Sequence, residues 1–496
     1  MTLSEALAGA QLRSQLSPAL ARTDIQGLEY DSRRVKPGFL FFAFPGAKVD
    51  GRTFAAQAAG KGAIATVSEL PSPEDWDGPW LQVAHGRQTL ATAAKAFYGK
   101  LDEKLKLTGV TGTNGKTTTA FLIDSILRQA GLITAMIGTI EYRLGAKTLP
   151  APNTTPESLD LARLFADLNA LGGTHVTMEV SSHALDLGRA WGLHFHTAVF
   201  TNFTRDHLDY HGTMERYFAA KKLLFDGAGA PPPRYSVINR DDEGGAKLIA
   251  SLKNSDLLSY GLGKDAMLKA RHIRWTGDGL RFEAALDKTK FEISSPLAGR
   301  FNVYNILAAC GAAMTYQLPP EIIAKGIAAC PGVPGRFERI DEGQPFHVIV
   351  DYSHTDDALR NAITAARSLE PRRVITLFGA GGDRDRTKRP LMGQAAGELS
   401  DVVILTSDNP RSEDPLQIMN DVLVGIRRSD TKTIVEPDRA TAIQKALKEA
   451  VAGDLVLLAG KGHETYQIFA DKTIHFDDRE AAREALRSFG FRKESA

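Results

Sequence analysis

The densest chemical signal in the chain is LTGVTGTNGKTTTAFLIDSIL, residues 107–127. A β-rich run leads into a glycine-bearing loop, and a helical pattern starts at Lys116. Gly112 and Gly115 let backbone N–H groups approach phosphate oxygens, and a helix N-terminus favours the negative charge. Lys116 can reach terminal phosphates, and the Thr117 hydroxyl suits Mg²⁺. Thr113, Asn114 and Thr118 complete the stretch. The longer form of this motif places glycine at position 110, where Val110 stands, so the match is to a shorter loop, Gly112-x-x-Gly115-Lys116-Thr117.

Three more residues could work with the loop. Glu179 closes the hydrophobic run of HVTMEVSSHAL, and a carboxylate at the C-terminal edge of a parallel strand sits where such sheets bind ligands. Its oxygens could hold Mg²⁺. His207, in TNFTRDHLDYHG, also follows a strand-like run, but taken alone it is a solvated or core-satisfied side chain. Lys221, in the helical pattern MERYFAAKKLLF, reads from spacing alone as a solvated lysine on a helix surface.

The elements that must position these residues alternate. Strand-like runs at 105–110, 133–137, 175–180 and 197–201 are separated by helical patterns, which predicts a parallel sheet with helices on both faces. Residues 257–297 are less helical, with antiparallel character, and FNVYNILAACGAAMTY reads as a helix. Before this unit, residues 1–100 mix short strands (39–43, 63–67, 80–83) with Ala-rich helices. After it, PGVPGRFERI at 331–340 has the Pro and Gly content of a boundary. The alternation then restarts, with strands at 348–352, 374–378, 402–406, 434–436 and 455–458. This last unit is Rossmann-like but lacks a GxGxxG opening, so no dinucleotide is expected there. The fold class is therefore α/β in three parts: a small N-terminal α/β domain at 1–100, a central P-loop ATPase-like domain at 101–335 and a Rossmann-like domain at 336–496. A chain of 496 residues fits about three domains.

Composition excludes several classes. Lys plus Arg number 60 and Asp plus Glu 59, a balance that removes the broad electrostatic case for nucleic acid or an anionic membrane. No apolar stretch approaches the ~20 residues of a membrane span, and the N-terminus lacks a signal-peptide run. The two cysteines, Cys310 and Cys330, lie in Ala-rich stretches and suit core positions in a reducing cytosol. A cytoplasmic protein, monomeric by default, is expected.

Eight stretches, TGTNGKTTT, MEVSSHAL, TNFTRDHLDYHG, YFAAK, FNVYN, PGRFE, DYSHT and GKGHE, occur in the order found in the Mur ligases of peptidoglycan synthesis. The chain resembles that family over nearly its whole length. YDSR at 30–33, NTTPE at 153–157, GGDRDRTKRPLMG at 381–393 and DNPRSEDP at 408–415 resemble the branch that adds the third amino acid of the stem peptide. The resemblance implies a first domain for a uridine nucleotide, a second for ATP and a third for the incoming amino acid. It implies an ATP-dependent ligase that converts a carboxylate to an acyl phosphate and then to an amide, acting on UDP-N-acetylmuramoyl-L-alanyl-D-glutamate.

Residue by residue, the resemblance assigns Lys116 to the β- and γ-phosphates and Thr117 and Glu179 to one Mg²⁺, with His207 in the second metal region. Lys221 matches a lysine that the family carbamylates, which would turn an ammonium into an oxygen donor for a hard cation. Asn302 or Asn305 would face adenine, Arg336 and Asp351 would bind phosphate and ribose, and His354 is a weaker candidate. Ser32 resembles the uridine-side contact, while Asn153, Thr154, Thr155, Ser181 and Arg189 would meet the peptide end. Arg384, Asp408, Asn409, Pro410, Arg411, Gly460 and Glu464 would form the amino-acid site. There Arg411 could clamp the distal carboxylate that distinguishes meso-diaminopimelate from L-lysine.

Two departures stand out. DYSHTDDAL replaces the family's usual DYAHTPDAL, and without the proline a softer turn is expected at Asp356. Leu187 stands where some relatives carry Gln, which removes one substrate hydrogen bond. The rivals are an L-lysine-adding ligase of the same type, folylpolyglutamate synthase, and a nucleotide-binding regulator that makes no bond.

Overall fold

The computed structural model describes residues 1–46, 49–253, 255–276 and 279–492. Among the described residues three large sheets organise the chain, with a two-stranded ribbon, Tyr466–Ile468 and Thr473–His475, besides. A four-stranded parallel sheet takes Gly27–Glu29, Phe39–Phe42, Ala65–Ser68 and Trp80–Gln82 in sequence order.

The second sheet has eleven strands. At its centre Lys106–Thr111 lies between His175–Glu179 and Phe195–Phe200, all parallel, with Val110 opposite both Glu179 and Val199. The C-terminal ends of these three neighbours therefore open side by side, and each feeds a segment marked in the sequence: the glycine loop, Glu179 itself, and 201–207. The stretch expected to be less helical forms an antiparallel meander, Leu268–Thr276, Gly279–Leu286 and Thr289–Ser295, that extends one edge. The helix Arg300–Thr315 is buried on almost every side, which its Ala-rich sequence permits. Cys310 within it and Cys330 are both free and buried.

The third sheet runs Glu338–Ile340, His347–Asp351, Leu455–Ala459, Val374–Phe378, Val402–Leu405 and Lys432–Val435 in space, antiparallel only at its first member. Among the described residues no helix is long and apolar enough to cross a membrane.

The interfaces flanking the central unit differ in kind. Leu159 and Ala162 share an apolar cluster with Leu28, Leu40 and Leu90, so the first and second units have a common core. Around it Glu29 Oε2 accepts from Arg34 at 3.0 Å and from Arg163 at 2.9 Å, and the Tyr30 hydroxyl donates to Asp160. The third unit meets the second through an apolar contact in which Ala298 and Phe301 pack against the third unit's core, Phe301 edge-on to Phe337 with ring centroids 5.6 Å apart, and through polar groups.

Candidate active site

Both loop glycines are required by space. A Cβ on Gly112, at φ +145°, would lie 1.9 Å from Thr201 Oγ1, and one on Gly115, at φ +85°, would lie 2.3 Å from Asn305 Oδ1. The loop is tied down by its neighbours. Asn202 Oδ1 accepts the Asn114 N–H at 2.8 Å, and Thr201 Oγ1 donates to the Asn114 carbonyl at 2.6 Å. Helix Lys116–Gln129 then begins without a side-chain cap, because its N-cap is Gly115. Its first N–H groups stay available to an anion.

Lys116 Nζ donates to the carbonyls of Gly112, at 2.9 Å, and Thr113, at 2.8 Å. Thr117 Oγ1 donates to Glu179 Oε2 at 3.1 Å. Glu179 is buried and held by Thr139, whose N–H donates to Oε1 at 2.8 Å and whose hydroxyl donates to Oε2 at 3.1 Å. Nothing in the sequence around Thr139 marked it for this role.

Lys221 overturns its surface reading. It is 1% exposed, donates to the Gly112 carbonyl at 2.7 Å and lies 4.5 Å from the Tyr217 ring centroid. Burial, reinforced by Lys116, pushes its ammonium well below the usual lysine range. His207 takes a left-handed backbone, φ +54°, beside Asp206, with Nε2 3.4 Å from Asp206 Oδ2. Burial lowers the His207 imidazole. Burial also acts to raise Asp206, but His207, His354 and Lys388 outweigh it and hold that carboxyl low. No group of three His, Cys, Asp or Glu side chains suited to a metal occurs among the described residues. The oxygen donors that do converge are a hydroxyl, Thr117, and a carboxylate, Glu179.

The third unit reaches into this site. Arg336 donates to Thr117 Oγ1 at 3.3 Å and stacks over Tyr352, 4.4 Å from the ring centroid, while its buried Nε has no partner among the described residues. An unpaired buried guanidinium N–H favours an anion. Asp351 Oδ2 accepts the Phe337 N–H at 2.7 Å, and Ser353 donates to its other oxygen. Asn114 Nδ2 donates to Asp357 Oδ2 at 3.2 Å, and Arg205 meets Asp385 at 3.3 Å. The turn before Asp356 is not left soft. Thr355 caps helix Asp356–Arg367 by accepting the Ala358 N–H at 3.2 Å, and two aspartates occupy the first turn. Asn302 spends its amide on Ala298 O at 2.6 Å and accepts from Asn305 at 2.9 Å, so Asn305 is the one beside the loop.

A second cluster gathers where three parallel strands of the third sheet end. It contains 379–384, Asp408–Arg411 and 460–464. Asn409 Nδ2 donates to Glu464 Oε2 at 2.9 Å, and Arg411, at φ +52°, donates to Gly382 O at 2.7 Å. Pro410 is buried and Arg384 exposed. Gly460, at φ +112°, must lack a side chain, since its Cβ would lie 2.9 Å from Asp408 Oδ2. Burial, then Asp408, raises Glu464. Sequence reasoning missed Lys461, fully buried between Asn409 and Glu464, and missed Arg439. Arg439 forms a fully buried pair with Asp478 and donates to Ser407 O at 3.2 Å and Ala459 O at 2.9 Å.

The peptide-end candidates are more structural than expected. Thr155 Oγ1 donates to Glu179 O at 2.8 Å and accepts the Ser181 N–H at 3.1 Å. Ser181 caps helix Ser182–Asp186. Arg189 bonds Glu157 Oε1 at 2.9 Å and Thr155 O at 3.1 Å. The Thr155 and Ser181 hydroxyls and the Arg189 guanidinium thus have partners within the protein. Asn153 stays exposed, Thr154 Oγ1 lies 3.1 Å from Thr139 Oγ1, and Ser32 donates to Gln57 at 2.6 Å.

A phosphate-type loop joined by an arginine from a following unit, with a bipolar cluster beyond it, defines a nucleotide-dependent enzyme of several substrates. Three family models match in order: "Mur ligase family, catalytic domain" at 24–98, "Mur ligase middle domain" at 110–313 and "Mur ligase, glutamate ligase domain" at 335–462. The chain belongs to the Mur ligase family. It is 63% identical over 491 residues to UDP-N-acetylmuramoyl-L-alanyl-D-glutamate--2,6-diaminopimelate ligase of Solibacter usitatus, covering 99% of each chain. The protein of the same name from Geobacillus thermodenitrificans is 47% identical over 468 residues, covering 94% of this chain and 95% of that one. A solved structure of an enzyme so named superposes with a TM-score of 0.70 at 33% identity, covering 99% of both chains.

Proposed function

We propose that the protein is an ATP-dependent ligase joining meso-2,6-diaminopimelate to UDP-N-acetylmuramoyl-L-alanyl-D-glutamate, in the cytoplasm and as a monomer. The carrying observation is the 63% identity, end to end, to a relative of that name. Arg411 and Glu464 in the third-sheet cluster support the choice of acceptor, since they supply opposite charges for a zwitterion. A division into 1–100, 101–335 and 336–496 assigns the nucleotide-peptide, ATP and the amino acid to successive domains.

Lys116 and the uncapped N–H groups at 116–118 would neutralise the ATP phosphates, with Arg336 and Asp351 on the phosphate and ribose and Asn305 on the base side. The substrate carboxylate attacks the γ-phosphorus, giving an acyl phosphate and ADP. The amine then attacks the acyl carbon, phosphate leaves from the tetrahedral intermediate, and the amine loses a proton. Each step crowds anions together, so positioned cations lower its barrier. Thr117 and Glu179 are hard oxygen donors 3.1 Å apart. They would hold Mg²⁺, which supplies further charge neutralisation when bound. Lys221 fits a carbamate, because a buried amine kept neutral is the form that reacts with CO₂. Asn153 and Thr154 remain open to the peptide, while Thr155, Ser181 and Arg189 shape the wall behind them.

Phosphate release with ATP, Mg²⁺ and the nucleotide dipeptide tests the reading, with meso-diaminopimelate and L-lysine run in parallel and the product confirmed by mass. Strong turnover with diaminopimelate is expected. Turnover only with lysine would overturn the acceptor, and no acceptor-dependent release would overturn the ligase.

A further inference from the structure

Lys461 is fully buried, yet neither the nucleotide loop nor the metal donors use it. Its ammonium donates to Glu464 Oε2 at 3.0 Å and to Asn409 Oδ1 at 3.3 Å, and lies 5.6 Å from the Tyr466 ring centroid. Asn409 donates to the same Glu464 Oε2 at 2.9 Å, and Asn409 Oδ1 also accepts the Ile468 N–H at 3.0 Å. One oxygen of Glu464 therefore carries two donors. The other, Oε1, has no hydrogen bond among the described residues.

Asp408 and Glu464 are neighbouring carboxylates, and Lys461 bonds the second of them. The neighbouring Arg439 is already neutralised by Asp478, through bonds of 2.7 and 2.6 Å. The Oε1 oxygen left open on Glu464 is therefore the acceptor that suits an added ammonium. Burial and Asp408 both act to protonate Glu464, and Lys461 opposes them. A protonated carboxyl would be a poor acceptor for an ammonium.

We propose that Lys461 is a positioning residue for the acceptor amino acid: it holds Glu464 by Oε2, ionised and in one orientation, so that Oε1 receives the acceptor's distal ammonium. This rests on the ligase reading above. The distal ammonium is common to diaminopimelate and lysine, whereas the distal carboxylate is not. Lys461 therefore governs affinity for the acceptor, and discrimination between acceptors is left to Arg411.

Steady-state kinetics of the full chain test this, with each of the three substrates varied in turn. Lys461→Met is expected to raise the KM for diaminopimelate by at least about tenfold while leaving the KM for ATP and for the nucleotide dipeptide within about twofold. Residual turnover with L-lysine should fall in the same proportion. Lys461→Arg should recover part of the loss. The double variant Lys461→Met/Glu464→Gln should be no worse than Glu464→Gln alone, because the lysine acts through the carboxylate. If Lys461→Met does not fold, Lys461→Gln carries the test with the same expected rise. An unchanged acceptor KM, a double variant that multiplies the two single losses, or equal losses for all three substrates would overturn the proposal. A wild-type enzyme without diaminopimelate-dependent phosphate release would overturn the ligase reading and this proposal with it. An active wild type with an unaffected Lys461→Met would sink the proposal alone.

Discussion

Lys116 and Lys221 share one acceptor: the Gly112 carbonyl receives Nζ of the first at 2.9 Å and of the second at 2.7 Å. Two ammonium groups on one oxygen repel, and burial pushes both below the usual lysine range, Lys221 well below it. The nucleotide loop and Lys221 are thereby joined through a single backbone atom.

A neutral Lys221 amine should take up CO₂. Enzyme equilibrated with ¹³C-bicarbonate is expected to give one carbamate carbon resonance, absent from Lys221→Arg. Turnover of Lys221→Arg should fall at least about 100-fold, the scale of losing one group that shapes transition-state charge. A resonance that persists in the variant would refute the assignment.

Arg411 should set the choice of acceptor. Lysine offers it no carboxylate, and an unsatisfied, half-buried guanidinium costs about 1–3 kcal/mol. Arg411→Ala is expected to lower kcat/KM for diaminopimelate by roughly 10–100-fold and to leave the slow rate with lysine nearly unchanged. Parallel kinetics with both acceptors read the ratio, and an unaltered ratio would remove Arg411 from the specificity site.

The Arg439–Asp478 pair, both side chains fully buried, should dominate the stability of the third unit. Removing one partner of such a pair costs about 3–5 kcal/mol. Arg439→Met should therefore lower the denaturation midpoint of the full chain, and Arg439→Met/Asp478→Leu should recover most of it. The double variant should still bind the acceptor poorly, because Ser407 O and Ala459 O lose their donor. Full recovery of both properties would show that the pair does not hold the acceptor loops.

Arg205 and Asp385 link the second and third units at 3.3 Å, on partly exposed side chains. Such a pair adds only about 0–1 kcal/mol to stability. Arg205→Ala should leave the melting temperature unchanged and reduce kcat/KM by up to about tenfold by weakening the catalytic arrangement. The charge swap Arg205→Asp/Asp385→Arg should restore part of the rate. A swap no better than the single variant would assign the loss to something other than this contact.

The glycine loop and Glu179 were legible because their positions follow from local rules: glycines where backbone must approach, and a carboxylate at the end of a parallel strand. Lys221 was not. Lys222 next to it has the same charge, and only the loop arriving from position 112 distinguishes the buried neighbour from the outer one. Lys461, Arg439 and Thr139 were invisible for the same reason, since each is defined by partners far away in the chain. Thr155 and Ser181 show the converse. Their residue types suit ligand contact, but the backbone of 179–184 claims their hydroxyls first. Strand ends in the third unit fell within a residue or two of expectation, because its buried parallel strands read as continuous Val, Ile and Leu runs.

The two interfaces of the central unit give the molecule uneven stiffness. Separating the first unit would split a core containing Leu159 and Ala162, whereas the third unit's core is met from the second by the partly buried Ala298 and Phe301. The junction with the third unit is thus the one a rotation would disturb least in apolar contact. Any such rotation would fall beside Arg336, whose guanidinium meets Thr117 Oγ1 at 3.3 Å, and would change that contact directly.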